Sequence, residues 1–146
     1  MRKLLLCAAV VLAVAADTAP KDAAKEAAKE LRGTWEGVSV EAFGLKADLI
    51  VNWEVKDNEI TLAFRGRPTG TFTYRLDAKK SPREIDLTPK EGGQTRKGIW
   101  KVEKGTLTVC MVRSDVTNPA KRKRPKAFTT RGRDDVEVLT LKRKAS

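Results

Sequence analysis

Between Asp48 and Asp77 large apolar side chains recur at every second position. Leu49, Val51, Trp53 and Val55 fall on one face of an extended segment, opposite Asn52, Glu54 and Lys56. After a turn at Asp57-Asn58 the alternation resumes with Ile60, Leu62 and Phe64. After a second turn over Gly66 to Gly70 it resumes again with Phe72, Tyr74 and Leu76. A period of two marks strands with one buried face, and three such segments joined by short turns predict an antiparallel meander. Ile85 and Leu87 make a shorter piece. Gly98 to Val102 and Thr106 to Arg113 form a hairpin through Lys104-Gly105, and Val136 to Arg143 is the last strand. About eight strands with one apolar face each must close into a barrel or pair as two sheets, and closure leaves no edge open to aggregation. The expected fold is all-β, a small antiparallel barrel.

The beginning of the chain follows other rules. Met1-Arg2-Lys3 is a charged start, and Leu4 to Ala16 carries no charge and no proline. Ala13-Val14-Ala15 supplies small residues for cleavage, so residues 1–16 read as a signal peptide. About thirteen apolar residues span only about 20 Å as a helix, short of a hydrocarbon core of about 30 Å, so no transmembrane anchor is expected in the mature form. Cys7 lies too early in the apolar segment to be a lipid acceptor and is read as part of the discarded peptide. Residues 17–32 form a helical spacer, because Ala, Lys and Glu are strong helix formers, Thr18 can cap the start and Gly33 stops it. Leu31 is its one large apolar residue, which suits a solvated spacer or a lid that touches the domain at that point. Residues 33–146 are the β domain, and the expected location is extracytoplasmic, periplasmic or secreted.

Loss of Arg2 and Lys3 takes the formal charge only from +11 to +9. A basic surface outside the cytoplasm favours anionic partners. Much of the charge sits in one run, Lys121-Arg122-Lys123-Arg124-Pro125-Lys126, inside a loop that starts at Ser114. Behind a signal peptide, and with no aromatic residue interleaved for base stacking, the run does not predict nucleic-acid binding. The chain has no histidine, which removes the commonest general base and metal ligand. No metal site, cofactor or catalytic residue is assigned. Cys110, flanked by Val109 and Met111, reads as a buried packing residue, and the mature chain has no disulfide. The carboxylates cluster at Glu84/Asp86, which share a strand face and could do hydrolase work, and at Asp134-Asp135, which follows Gly132-Arg133 and reads as a turn; in so basic a chain Glu84 and Asp86 read first as charge partners.

Gly33-Thr34-Trp35, at the junction of a helix and the first strand, resembles the G-x-W signature of lipocalins, in which an arginine of the last strand lies across the tryptophan. Arg143, at the end of Leu139-Thr140-Leu141-Lys142-Arg143, has the inward parity for that role, and a stacked guanidinium contributes about 0.5–2 kcal/mol. Trp35 and Gly37 have the opposite parity to Val38 and Val40, so a bulge is expected near Gly37. The wider pattern adds Pro82-Arg83-Glu84-Ile85-Asp86-Leu87, Gly98-Ile99-Trp100 with Leu107-Thr108-Val109-Cys110, and Arg124-Pro125-Lys126-Ala127-Phe128. Together these resemble an uncharacterised family of small exported lipocalin-like proteins expanded in planctomycete bacteria. Trp100 replaces the usual tyrosine, and Lys104-Gly105-Thr106 lacks the usual aspartate after the glycine. The resemblance implies export, a lipocalin-like barrel, and a structural role for Arg124, Pro125 and Phe128, but no activity.

Two binding readings stand beside a carboxylate hydrolase. In one, the barrel holds a small apolar or amphiphilic ligand against Trp53, Phe64, Phe72, Tyr74 and Trp100; these residues would otherwise simply fill it. In the other, Lys121, Arg122, Lys123 and Lys126 form a patch for an anionic polymer or protein of the envelope.

Overall fold

The computed structural model describes residues 20–145. The signal peptide, Cys7 and the Thr18 cap lie outside the described residues. A helix, α1 (Pro20–Leu31), precedes nine strands: β1 (Gly33–Ala42), β2 (Leu45–Asp48), β3 (Val51–Val55), β4 (Glu59–Phe64), β5 (Arg67–Asp77), β6 (Arg83–Pro89), β7 (Arg96–Glu103), β8 (Thr106–Val112) and β9 (Val136–Arg143). Each strand from β3 to β9 pairs antiparallel with the next, β1 pairs with β3, and β9 returns to β1. That pairing closes an eight-stranded antiparallel barrel, with β2 as an extra strand on the outer part of β1.

Turn chemistry sets the register. Phe43-Gly44, Arg65-Gly66 and Lys104-Gly105 have positive φ at both residues, the two-residue hairpin turn whose twist matches the strands it joins. The expected turn over Gly66 to Gly70 is therefore shorter: it ends at Gly66, and β5 begins at Arg67. Pro68, which has no N–H to donate, sits where the β4–β5 ladder slips between Leu62 and Ala63. The bulge in β1 lies between Gly37 and Ser39. It turns Val38 outward and brings both Trp35 and Val40 to the inside. Gly37 faces the backbone of Leu49 and Val51 so closely that a Cβ would lie 2.4 Å from Leu49 O.

The barrel interior is occupied by side chains. Trp35, Trp53 and Trp100 are at most 2% exposed and pack with Val55, Ile60, Ile85, Leu87, Leu107, Val109, Met111, Leu139 and Leu141. Trp35 and Trp53 face each other across the β1–β3 ladder. The helix α1 closes one end by burying Ala27 and Leu31 in the same cluster. Burying a leucine stabilises by about 1.5–3 kcal/mol, so Leu31 is the main apolar anchor of this short lid. A second, smaller cluster lies on the outer face of the wall, where Ile99, Cys110, Val136 and Val138 pack under Phe128. No described helix is long and apolar enough to cross a membrane.

Candidate functional site

At the helix end, two arginines face inward beneath α1. The guanidinium of Arg143 lies 4.2 Å from the Trp35 ring and donates to the carbonyls of Glu30 and Arg32. Trp35 Nε1 donates to Leu31 O at 2.8 Å. Arg83 lies 3.9 Å over the Trp100 ring and forms a two-pronged ion pair with Glu30. The last carbonyls of α1, which have no intrahelical donor, are thus met by an indole and a guanidinium, with cations at the negative end of the helix. This end is a structural plug. The role of Arg83 was not legible in sequence, although its parity with Ile85 and Leu87 already pointed it inward.

The residues proposed to line a ligand cavity separate. Trp53 and Trp100 are core residues. Phe72 and Tyr74 pack at the edge of the core, and the Tyr74 hydroxyl donates to the carbonyls of Lys56 and Asp57. Burial, and then the Asp57 charge, push the Tyr74 phenol up. Phe64 does not line the interior: it is exposed at the end of β4, next to the Arg65-Gly66 turn, with the Arg65 guanidinium over its ring. Its alternation with Leu62 runs past the end of the packed wall. A cleft of about 350 Å³ reaches Phe72 from the loop end, between Pro89, Arg96 and Arg122.

Glu84 and Asp86 both meet Arg124. Arg124 Nη2 lies 2.6 Å from Asp86 and Nε 3.3 Å from Glu84, and Nη1 donates to the carbonyls of Ile85 and Gly98. The acid pair therefore clamps the β8–β9 loop onto the outer wall. Buried Pro125 and the Phe128 ring continue that anchorage. Arg133 is tied to Asp135, and this contact holds the Asp135 carboxyl below its ordinary value. Beneath the loop, burial pushes the Cys110 thiol up to about 11.

The basic run divides. Arg122 is not free: it is half-buried and donates to Val116 O and Thr95 O, bracing the loop against the β6–β7 connection. Lys121 lies 3.6 Å from Asp134. Lys123 and Lys126 are exposed and, among the described residues, have no ion pair. They line a cleft of about 520 Å³ together with Lys121, Pro125, Ala127 and Arg131. Arg131 was missed by sequence reading because it stands outside the contiguous run, and the fold of the loop brings it back. The cleft offers cationic tips over a partly apolar floor, and its two carboxylates, Asp134 and Asp135, are paired with Lys121 and Arg133; among the described residues no cluster of metal-ligating side chains exists. Comparison with protein-family models, curated proteins and solved structures finds no match to this chain.

Proposed function

We propose that this protein is an exported binding module that holds an anionic polymer in the cleft of its β8–β9 loop. The observation that carries the reading is the cleft itself, where Lys123, Lys126 and Arg131 reach solvent beside Lys121 while the neighbouring Arg122, Arg124 and Arg133 hold the loop in shape. Anchored arginines and exposed lysines divide the labour: the first give the surface a fixed form, the second, of which Lys123 and Lys126 have no ion pair among the described residues, give it charge. A polymer suits this surface better than a small ligand, because the charges are spread along an open cleft. The net charge of the chain adds long-range attraction, which salt screens with a Debye length of about 8 Å at physiological ionic strength. The interior of the barrel, filled by three tryptophans and their neighbours, gives an apolar ligand less room than the loop gives a polyanion.

The test is retention of the purified chain on immobilised heparin. Binding at low salt that is lost at moderate salt is expected, and the triple variant Lys123→Gln/Lys126→Gln/Arg131→Gln should elute at clearly lower salt. A control triple at Lys79, Lys80 and Lys104, which removes equal charge from turns at the helix end, should elute close to the wild type. Equal shifts in both triples would reduce the interaction to net charge and overturn the cleft as its site.

A further inference from the structure

Every strand of the closed barrel has a neighbour on both sides, but β2 pairs with β1 alone among the described residues. Its ladder fixes which of its backbone groups are free. Leu49 N–H donates to Val38 O at 3.2 Å, so Ser39 and Asp48, opposite each other, form a non-hydrogen-bonded pair. By alternation Val40 and Ala47 are hydrogen-bonded, and Glu41 and Lys46 are not. The N–H and C=O groups of Lys46 and Asp48 therefore point away from β1 to the open edge, and all four β2 residues are exposed.

We propose that a second copy of this chain adds at this edge, β2 against β2, in antiparallel register centred on Ala47. An antiparallel partner forms ladder bonds only when outward-pointing residues stand opposite each other. For β2 against itself three registers do so: Lys46 opposite Lys46, Asp48 opposite Asp48, or Lys46 opposite Asp48. The first two set like charges directly across from each other, which destabilises a sheet. The third joins Lys46 of each copy to Asp48 of the other, with the two-fold axis at Ala47. It completes four backbone hydrogen bonds and two cross-strand ion pairs. On the other face it sets Leu45, which is 75% exposed, opposite Leu49 of the second copy.

A lysine on an edge strand ordinarily discourages pairing. Here Asp48, two residues on and on the same face, neutralises it in one register only. The contact is isologous and uses up both edges, so it stops at a dimer. It is independent of the β8–β9 cleft and does not rest on the anionic-polymer reading.

Sedimentation velocity of the full chain over a concentration series tests the proposal. The wild type should show a concentration-dependent dimer. Lys46→Asp and Asp48→Lys should each weaken it by about tenfold or more, because both ion pairs turn into repulsions. An equimolar mixture of the two variants should recover the dimer, since one chain then carries two acidic positions on β2 and the other two basic ones. Unchanged circular dichroism checks that these exposed substitutions leave the fold intact. A wild type that stays monomeric throughout would overturn the proposal. So would a dimer indifferent to both substitutions, or a variant mixture that fails to associate.

Discussion

Two tryptophans of the core differ in one atom's surroundings. Trp35 Nε1 donates to Leu31 O, whereas Trp100 Nε1 is buried and, among the described residues, has no hydrogen-bond partner. Both rings carry an arginine on one face. Replacing either by phenylalanine removes similar volume. At Trp35, however, the change also leaves a helix-terminal carbonyl without its indole donor, while at Trp100 it removes a donor that was already unsatisfied. A hydrogen bond contributes about 1 kcal/mol net, and an orphaned buried polar group costs about 1–3 kcal/mol. Trp35→Phe should therefore destabilise by about 1–2 kcal/mol more than Trp100→Phe in urea titration. Equal losses would mean that the Leu31 bond contributes nothing.

At the scale of elements, the β8–β9 connection behaves as an outer layer pinned by Arg124. Truncating Arg124 leaves Glu84, Asp86 and two backbone carbonyls without their common donor, a loss on the order of 3 kcal/mol for a partly buried charge network. The layer also covers Cys110, which gives a sensitive reporter. In the folded wild type the thiol, pushed up to about 11 by burial, is protonated at pH 8 and closed off, so an alkylating reagent should label it only on unfolding. Arg124→Met should admit the reagent at pH 8 and open the loop to protease while the barrel keeps its circular dichroism. Slow labelling in both proteins would show that the loop stays docked without this clamp. The sign for stability follows from the same shift. An unfolded thiol ionises near its ordinary value of 9.0, but the folded one stays protonated to about 11. Its contribution is therefore complete below about pH 9 and falls away as the pH rises toward 11.

For the molecule as a whole, a filled barrel with an arginine-lined plug at the helix end separates the stabilising core from the surface that meets partners. The three tryptophans report on that core. Their emission should be blue-shifted and poorly quenched by acrylamide, and it should not respond to a panel of fatty acids and other apolar ligands. A saturable change with any of these ligands would return the interior to consideration as a binding cavity.

Much of the barrel was legible in the chain because a period of two is a local property. Trp53, Val55, Ile60, Ile85 and Leu87 declare a buried face whatever strand lies beside them. The parity conflict between Trp35 and Val40 likewise declares the bulge between Gly37 and Ser39. What stayed hidden depends on residues distant in sequence. Nothing local distinguishes Arg122, fixed to Thr95, from Lys123, which is exposed and has no ion pair among the described residues, and nothing local brings Arg131 to the same cleft. Phe64 alternates like a core residue yet lies past the end of the wall, since alternation carries direction but not depth. The strand β2 escaped notice because its face is never buried and so leaves no apolar rhythm. Alternation along the chain sets the face on which each strand carries its apolar side chains, and marks most of the turns between them. The tertiary structure alone decided which charges are spent on anchorage and which remain for a partner, because an ion pair forms between neighbours in space and leaves no period along the chain.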